Sequence, residues 1–240
     1  MDEVRLTRDR WVLRRDGPAP EGHVIAVDPG SGAGSSVVLR DRQVVWSVSW
    51  TRRRNKAQTY RVAYGQMSSG DLDPVTLYPG SDSMRVAEVA TLWDALAYTA
   101  APLTDEERRR SIYVVERIVP QARRLAGYTT LAEAAGIALA YGQMLGASVA
   151  PAAGRGGVRI DRPVAGRWRT DVLRIASQTT AEVAAETARS AVMGSAVAGS
   201  RRDLCLDVTG CSEEHTNEHL AEAVCIGLWA AGYRLRREGK

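Results

Sequence analysis

Three apolar runs near the N-terminus predict a set of neighbouring strands. Residues 24–28 are apolar up to a closing acid, and further apolar runs follow at 36–41 and 44–50. Short runs of this kind, separated by glycine-rich or polar turns, are typical of an antiparallel meander. A fourth run, Ile-Tyr-Val-Val at 112–115, has the length and the β-branched and aromatic composition of a buried strand.

Apolar positions at helical spacing predict helices between and after these strands. The predicted helices cover about 84–99, 129–146, 169–177, 180–194 and 218–230, and a further strand is expected at 147–151. This order fits a mixed β-sheet flanked by helices in the α/β class. The helix at 129–146 is rich in Ala and Gly, so another surface can approach it closely. Packing on its own sheet and a subunit interface are both open for that helix.

The remaining segments predict extensions of one domain that spans residues 22–234. Residues 1–21 are charged and lead into a Gly- and Pro-rich run, which is typical of an arm and a linker, and residues 235–240 form a short tail. Residues 51–82 are longer than a hairpin needs. Strands expected at 59–64 and 75–78 would make this insertion a basic β-extension. A chain of 240 residues is long enough to bury a substantial core.

Acidic residues stand at the ends of two predicted strands and at the start of the last helix. Asp28 closes the first apolar run, and Glu116 follows the run at 112–115. On the last helix, Glu218, His219 and Glu222 are spaced so that their side chains lie near one face. Because burying an isolated carboxylate is costly, this pattern favours a nearby cation or metal ion.

Each of these acids also has an ordinary structural interpretation. Asp28 suits a turn or a hairpin cap, and Glu116 suits a salt bridge with Arg117 or Arg123. The acids of the last helix suit a solvated first turn, which the helix dipole would favour.

Taken in chain order, the strand-end Asp, the strand-end Glu and the late His-x-x-Glu helix resemble the RuvC family of Holliday-junction resolvases, in the ribonuclease H-like superfamily. The matching motifs are VDPG at 27–30, VER at 115–117 and HLAEA at 219–223. The resemblance implies a ribonuclease H-like mixed β-sheet. It also implies that two divalent metal ions are held by Asp28, Glu116, His219 and Glu222. Family members usually carry Asp where this chain has Glu222, and Glu218 is the alternative ligand.

The residue types suit phosphodiester hydrolysis. That reaction needs an activated water and neutralisation of charge on the leaving oxygen, and two ions about 3.5–4 Å apart provide both. Oxygen ligands suit Mg²⁺, with Mn²⁺ as an alternative. His219 is either a metal ligand or a general base. The second role is favoured, because imidazole is a poor match for Mg²⁺.

Arginine supplies almost all of the positive charge. The chain has 32 Lys and Arg residues against 28 acids, and only Lys56 and Lys240 are lysines. Guanidinium groups bind phosphate in bidentate geometry, although GC-rich coding would give the same bias. Clusters that follow strands or precede a helix are predicted to bind DNA, with a solvated basic surface as the alternative. The predicted DNA-binding residues are Arg52, Arg53, Arg54, Lys56, Arg123, Arg124, Arg155, Arg159, Arg167 and Arg169.

The three cysteines do not predict a disulfide framework, and their odd number fits a reducing cytoplasm. Cys205, Cys211, His215 and His219 are spaced within reach of one zinc ion, but the Cys-x₂₋₄-Cys pattern is missing. No apolar run has the length of a signal segment or a membrane span. These observations predict a cytoplasmic protein of a bacterial cell or of a phage, with no membrane partner.

Together, the patterns predict a metal-dependent endodeoxyribonuclease that resolves four-way DNA junctions. A homodimer is expected, because paired cuts need two symmetry-related sites. The alternatives are a nuclease for other branched DNA or for RNA–DNA hybrids, and a non-catalytic junction-binding module. An actin-like sugar or acetate kinase also begins with a strand, an Asp and glycines, but it needs two such domains, for which 240 residues leave no room.

Overall fold

The computed structural model of the chain describes twelve segments. They are residues 11–29, 33–51, 58–60, 63–64, 75–77, 86–117, 128–148, 159–163, 165–176, 179–194, 204–214 and 216–237.

The described strands form a central six-stranded mixed sheet. From one edge to the other, its neighbours are Ala63–Tyr64, Gln43–Thr51, Ala33–Arg40, Val24–Asp28, Ile112–Val115 and Arg159–Asp161. The first half is an antiparallel meander of β2 (Val24–Asp28), β3 (Ala33–Arg40) and β4 (Gln43–Thr51). Strand β8 (Ile112–Val115) then lies parallel to β2. The edges are β9 (Arg159–Asp161), parallel to β8, and the two-residue strand β6 (Ala63–Tyr64) beside β4.

Helices cover both faces of this sheet, which explains why β8 is apolar throughout and β2 is apolar up to its closing Asp28. Helices α1 (Val86–Ala100) and α3 (Tyr128–Ser148) pack on one face. Helices α5 (Ala181–Met193) and α6 (Glu218–Ala230) belong to the core on the other face. The two cores share the strands by alternation, so that Ile25 and Val27 face one and Val24 and Ala26 face the other. This architecture confirms the predicted mixed β-sheet flanked by helices.

Two short helical elements complete the framework. Helix α2 (Asp105–Arg110) begins with a capping box between Thr104 and Glu107. Helix α4 (Ala165–Trp168) continues directly into a π-helical turn, Arg169–Leu173. Such turns are rare and often lie at functional sites.

Close approach of α3 to the sheet explains one feature of its Gly-rich composition. A Cβ atom on Gly142 would lie 2.4 Å from the Tyr113 ring of β8. The Tyr113 hydroxyl donates a hydrogen bond to the Ala138 carbonyl oxygen at 3.0 Å. This face of α3 therefore packs on its own sheet, while the homodimer interface stays a prediction.

The strand predicted at 147–151 is wrong where it can be compared. Residues 147 and 148 end α3, and residues 149–151 lie outside the described segments. The strand beside β8 is instead Arg159–Asp161, in a stretch where no strand was predicted. The helix predicted at 169–177 starts earlier, at Ala165, and the π-helical turn that continues it ends at Leu173. Pairing with β8, which local composition does not encode, decides the position of β9.

A separate two-stranded sheet joins the terminal segments. Strand β1 (Trp11–Arg15) pairs antiparallel with β10 (Tyr233–Arg237). An arm and a tail were predicted here, but both strands contain apolar residues that contact the core. Leu13 of β1 and Leu235 of β10 pack on the α6 side of the core. The domain boundaries themselves stay a prediction.

The insertion at 51–82 contains the predicted strand pair. Strand β5 (Gln58–Tyr60) pairs antiparallel with β7 (Val75–Leu77), whereas β6 joins the central sheet. Contact of this extension with DNA stays a prediction. None of the described helices is both long enough and apolar enough to cross a lipid bilayer.

Candidate metal and catalytic site

Two neighbouring parallel strands bring the first two acids to one edge of the sheet. Asp28 is the last residue of β2, and Glu116 follows the last residue of β8. The Glu116 backbone N–H donates to the Val27 carbonyl oxygen at 3.4 Å, which continues the strand pairing up to the acid. Both side chains are buried, with 5% of Asp28 and 8% of Glu116 exposed. The predicted juxtaposition of these two acids is present.

The first turn of α6 is tied to the same edge of the sheet. Asn217 caps the helix by accepting a hydrogen bond from the Leu220 N–H at 2.8 Å. The Ser35 hydroxyl donates to the Asn217 side-chain oxygen at 3.4 Å and lies 2.7 Å from the Ser49 hydroxyl. Because Ser35 is the register partner of Asp28, this polar chain fixes the helix start beside the first acid.

His219 and Glu222 project from that turn toward Asp28. The Nδ1 atom of His219 lies 2.7 Å from Asp28 Oδ2. Potential ligand atoms of Asp28, His219 and Glu222 all lie within 4.8 Å of one another. Glu222 is buried, whereas Glu218 is exposed to solvent. Of the two helix acids, Glu222 is therefore the one that lies with Asp28.

Glu116 stands beside this group and has a partner of its own. The indole N–H of Trp168 donates to Glu116 Oε1 at 2.7 Å, and the Trp168 side chain is fully buried. The hydrogen bond fixes one carboxylate oxygen of Glu116 and leaves the other for a cation. Sequence reasoning missed Trp168; the signal was a single Trp at the start of a helix within an Arg-rich stretch.

Arg169 lies inside the acidic cluster. Its Nη2 atom is 2.7 Å from Glu222 Oε1, and only 14% of the Arg169 side chain and 12% of the Glu222 side chain are exposed. The guanidinium also stacks over the Trp168 ring, 5.1 Å from its centroid. The sequence had placed Arg169 on a DNA-binding surface, but in the structure its charge is directed at a carboxylate.

Burial and mutual repulsion raise the pKa values of two of the acids. Burial, followed by the negative charge of Asp28, raises the pKa of Glu116 to about 8, against the opposing hydrogen bond from Trp168. Burial and Asp28 also raise the pKa of Glu222 to about 7, although Arg169 lowers it. The cluster therefore holds more buried carboxyl groups than its own positive charges can keep ionised at neutral pH.

His219 responds to the same charges in the opposite direction. Burial on its own would lower the pKa of His219, but the hydrogen bond to Asp28 and the Asp28 charge outweigh it, so the pKa is raised. The imidazole is one-third exposed and thus stays open to water.

The donor set fits a divalent cation of the Mg²⁺ or Mn²⁺ type. Asp28 and Glu222 supply carboxylate oxygens close together, and Glu116 supplies a third from the adjacent strand. Burial and the negative charge of Asp28 raise the pKa values of Glu116 and Glu222, and a divalent ion bound there would lower both. The same ion would compete with Arg169 for Glu222.

The zinc alternative gains no support from the described part of the chain. The one group of potential ligands found there that is compact enough for an ion contains no cysteine. Cys225 is buried in α6, Cys205 is exposed, and His215 lies outside the described residues.

The remaining predicted DNA-binding residues are only partly described. Arg167 is exposed on α4, and Arg159 belongs to β9. The others lie outside the described residues, and their role stays a prediction: Arg52, Arg53, Arg54, Lys56, Arg123, Arg124 and Arg155.

Comparison with known proteins gives matches among solved structures. No protein-family model and no curated protein matches the chain. Among solved structures, the chain is similar to T. thermophilus RuvC in complex with Holliday junction substrate, with a TM-score of 0.41 and 13% identity over 90% of this chain and the whole of that one. A likeness at this level assigns no function to the chain.

Proposed function

We propose that this protein is a divalent-metal-dependent nuclease that cleaves phosphodiester bonds in branched DNA. One observation carries the proposal: potential ligand atoms of Asp28, His219 and Glu222 lie within 4.8 Å of one another, and the buried Glu116 follows β8, the parallel neighbour of β2. Burying several acids together costs stability unless a cation neutralises them. The cluster therefore favours a function that needs concentrated negative charge.

Asp28, Glu222 and Glu116 are the residues that would hold the metal. Bound there, divalent ions supply an activated water and neutralise the charge that develops on the leaving oxygen. Trp168 restrains Glu116 by donating to Oε1 and leaves Oε2 without that donor. The carboxylate of Asp28 would hold the cation while it also contacts the imidazole of His219.

His219 is the proposed general base. When Nδ1 donates its proton to Asp28, Nε2 becomes the acceptor of the ring and can take a proton from water. The partial exposure of the side chain gives water access to that atom. The role of direct metal ligand, which the sequence left open, would use the same Nε2 atom.

Four-way junctions are the proposed substrate, and a homodimer is the proposed active form. The support is the resemblance of the motifs around Asp28, Glu116 and His219, together with the need for two symmetric sites to cut two strands. The alternatives are a nuclease of the same fold that cleaves other branched DNA and one that cleaves RNA–DNA hybrids. The substrates used in the test distinguish these activities from junction cleavage.

The test is cleavage of end-labelled DNA by the whole chain, with and without Mg²⁺. A synthetic four-way junction, a flap, a linear duplex and an RNA–DNA hybrid form the substrate set. We expect symmetric cuts in the junction with Mg²⁺ and none with EDTA or with the Asp28→Asn variant. Glu218→Gln serves as the matched control, because Glu218 is exposed on the same helical turn. Cleavage that survives EDTA or Asp28→Asn would contradict the proposal.

A further inference from the structure

One ion pair places a fixed positive charge where a divalent cation would bind. Arg169 Nη2 lies 2.7 Å from Glu222 Oε1, and both side chains are more than four-fifths buried. Glu222 is also one of the three residues whose ligand atoms lie within 4.8 Å of one another. In the ion-free state, Arg169 therefore serves as the counter-charge of a predicted metal ligand.

Consecutive residues of one short segment address two different acids. Trp168 ends α4 and donates to Glu116, while Arg169 begins the π-helical turn and pairs with Glu222. The guanidinium rests on the indole ring, 5.1 Å from its centroid. The turn thus positions the Arg169 charge between the acids of β8 and α6.

The hydrogen bonds of Arg169 are incomplete. Its Nε atom is buried and finds no acceptor among the described residues. A buried donor without a partner costs free energy, so this guanidinium is held less firmly than a fully bonded one. A contact of this kind can be exchanged for a stronger interaction of Glu222.

We infer that Arg169 is a built-in counter-cation that a divalent ion must displace from Glu222, so that this residue sets the metal concentration that the site requires. The inference rests on the metal site of the proposed function. A guanidinium and a divalent ion beside the same carboxylate repel each other, and burial makes that repulsion stronger than in water. Once released, the guanidinium is a positioning group for the next anion at the site, which in the proposed function is a phosphate.

Removing the charge of Arg169 is expected to favour the metal over every competitor at Glu222. Loss of the Arg169 charge also raises the affinity of Glu222 for a proton. A divalent ion gains more, because it carries twice the charge and feels twice the repulsion. The direction of the effect on metal binding is therefore fixed: loss of the charge tightens binding.

The experiment is a Mn²⁺ titration of the whole chain without DNA. Free Mn²⁺ is followed by electron paramagnetic resonance, and thermal unfolding provides a second reading. For Arg169→Gln we expect the midpoint to fall by about three- to tenfold, the order that one partly screened charge produces. Arg169→Lys keeps the charge and should stay near the wild-type midpoint.

Arg167→Gln is the matched control, because Arg167 is exposed on the preceding turn and its removal takes away the same charge from solvent. The Mn²⁺ midpoint of Arg167→Gln should lie within about twofold of the wild-type midpoint, as expected for a screened surface charge. If Arg169→Gln does not fold, Arg169→Met removes the charge while keeping a long apolar stem for Trp168. An unchanged or higher midpoint for a folded, uncharged variant would overturn the inference.

Junction cleavage by the wild-type protein, assayed in parallel, separates this inference from the proposed function. Wild-type cleavage together with an unchanged Mn²⁺ midpoint in Arg169→Gln would contradict the inference about Arg169 and agree with the proposed nuclease activity. A lowered Mn²⁺ midpoint in Arg169→Gln, without wild-type cleavage of any DNA substrate, would contradict the nuclease activity and agree with the inference about Arg169.

Discussion

His219 Nδ1 lies 2.7 Å from Asp28 Oδ2, and this contact joins the first turn of α6 to the end of β2. The two residues are 191 positions apart in the chain. The contact fixes the orientation of the imidazole ring and at the same time uses one oxygen of the acid that the metal site needs. Substitution of either Asp28 or His219 should therefore affect the other residue.

The first prediction concerns this pair. In the metal-free protein the pKa of His219 lies above its ordinary value of 6.5, because the hydrogen bond and charge of Asp28 outweigh burial. Asp28→Asn removes the charge, so the pKa of His219 should fall, although the charges of Glu222 and Glu218 still oppose burial. Proton NMR of the imidazole resonances measures this directly, because the chain has only 3 His residues.

Glu218→Gln is the control for that titration. Glu218 is exposed and its charge is the last of the effects that raise the pKa of His219, so its removal should lower the value only slightly. An equal fall in both variants would show that the contact with Asp28 has no special weight.

A second prediction concerns the pH dependence of stability in the metal-free protein. The pKa of Glu116 is about 8 in the folded state against an ordinary value of 4.5. Because the folded state binds this proton more tightly, the proton stabilises the fold below pH 4.5, and the stability is lost as the pH rises from there to about 8. The Tm in EDTA should therefore fall across this range.

The variant Glu116→Gln should flatten that fall, because the amide cannot ionise. Added Mn²⁺ should raise the Tm of the wild type more at pH 8 than at pH 5. Glu218→Gln, which changes an exposed acid, should leave the wild-type slope in place. A Glu116→Gln profile as steep as the wild type would argue against a buried, strained carboxylate at this position.

A third prediction concerns the proposed nuclease chemistry. Asp28→Asn and Glu116→Gln each remove one carboxylate charge and nearly preserve side-chain shape, so both should abolish cleavage and leave junction binding largely intact. Gel-shift affinity in Ca²⁺ and cleavage in Mg²⁺ separate the two effects. His219→Asp should retain part of the activity, because an acid at this position can still bind a metal or accept a proton. Wild-type turnover in either of the first two variants would contradict the assigned roles.

The fourth prediction tests the packing of α3 on the sheet. Gly142→Ala would place a Cβ atom 2.4 Å from the Tyr113 ring, so the variant should be less stable by about 1–3 kcal/mol in denaturant unfolding, the usual cost of overpacking. Gly136→Ala lies in the same helix with no atom within 4 Å of the added methyl. That change should stabilise the protein by up to about 1 kcal/mol through helix propensity. A neutral result at Gly142 would show that the contact with Tyr113 relaxes freely.

Local pattern was sufficient for the elements that carry the acids. The strand at 24–28, the strand at 112–115 and the helix at 218–230 have the predicted bounds. Each is a continuous apolar run or an apolar helical face, and an acid at its end is visible in the sequence. Because parallel neighbours align their carboxyl ends, Asp28 and Glu116 meet once β2 and β8 pair, and the family resemblance implied that these two acids share one site.

Other parts of the site depend on contacts between distant segments. The choice of Glu222 over Glu218 rests on the rotation of α6, which the Asn217 cap and the packing of its apolar face against β2 and β3 set together. Spacing puts both acids on one side of the helix and cannot say which of them is buried. The pairing of β1 with β10 and the position of β9 have the same origin, since a strand is fixed by its partner as well as by its own residues.

The sequence by itself determined the central strands β2, β3, β4 and β8 and the acids at the ends of β2 and β8, because hydrophobic periodicity and strand ends are local properties. Only the tertiary structure decided that Trp168 and Arg169 belong to the acidic cluster. In the sequence, Arg169 is one arginine among many in a basic stretch. Its burial, its stacking on an indole and its contact with Glu222 arise because the π-helical turn packs against α6, and no composition rule records that packing.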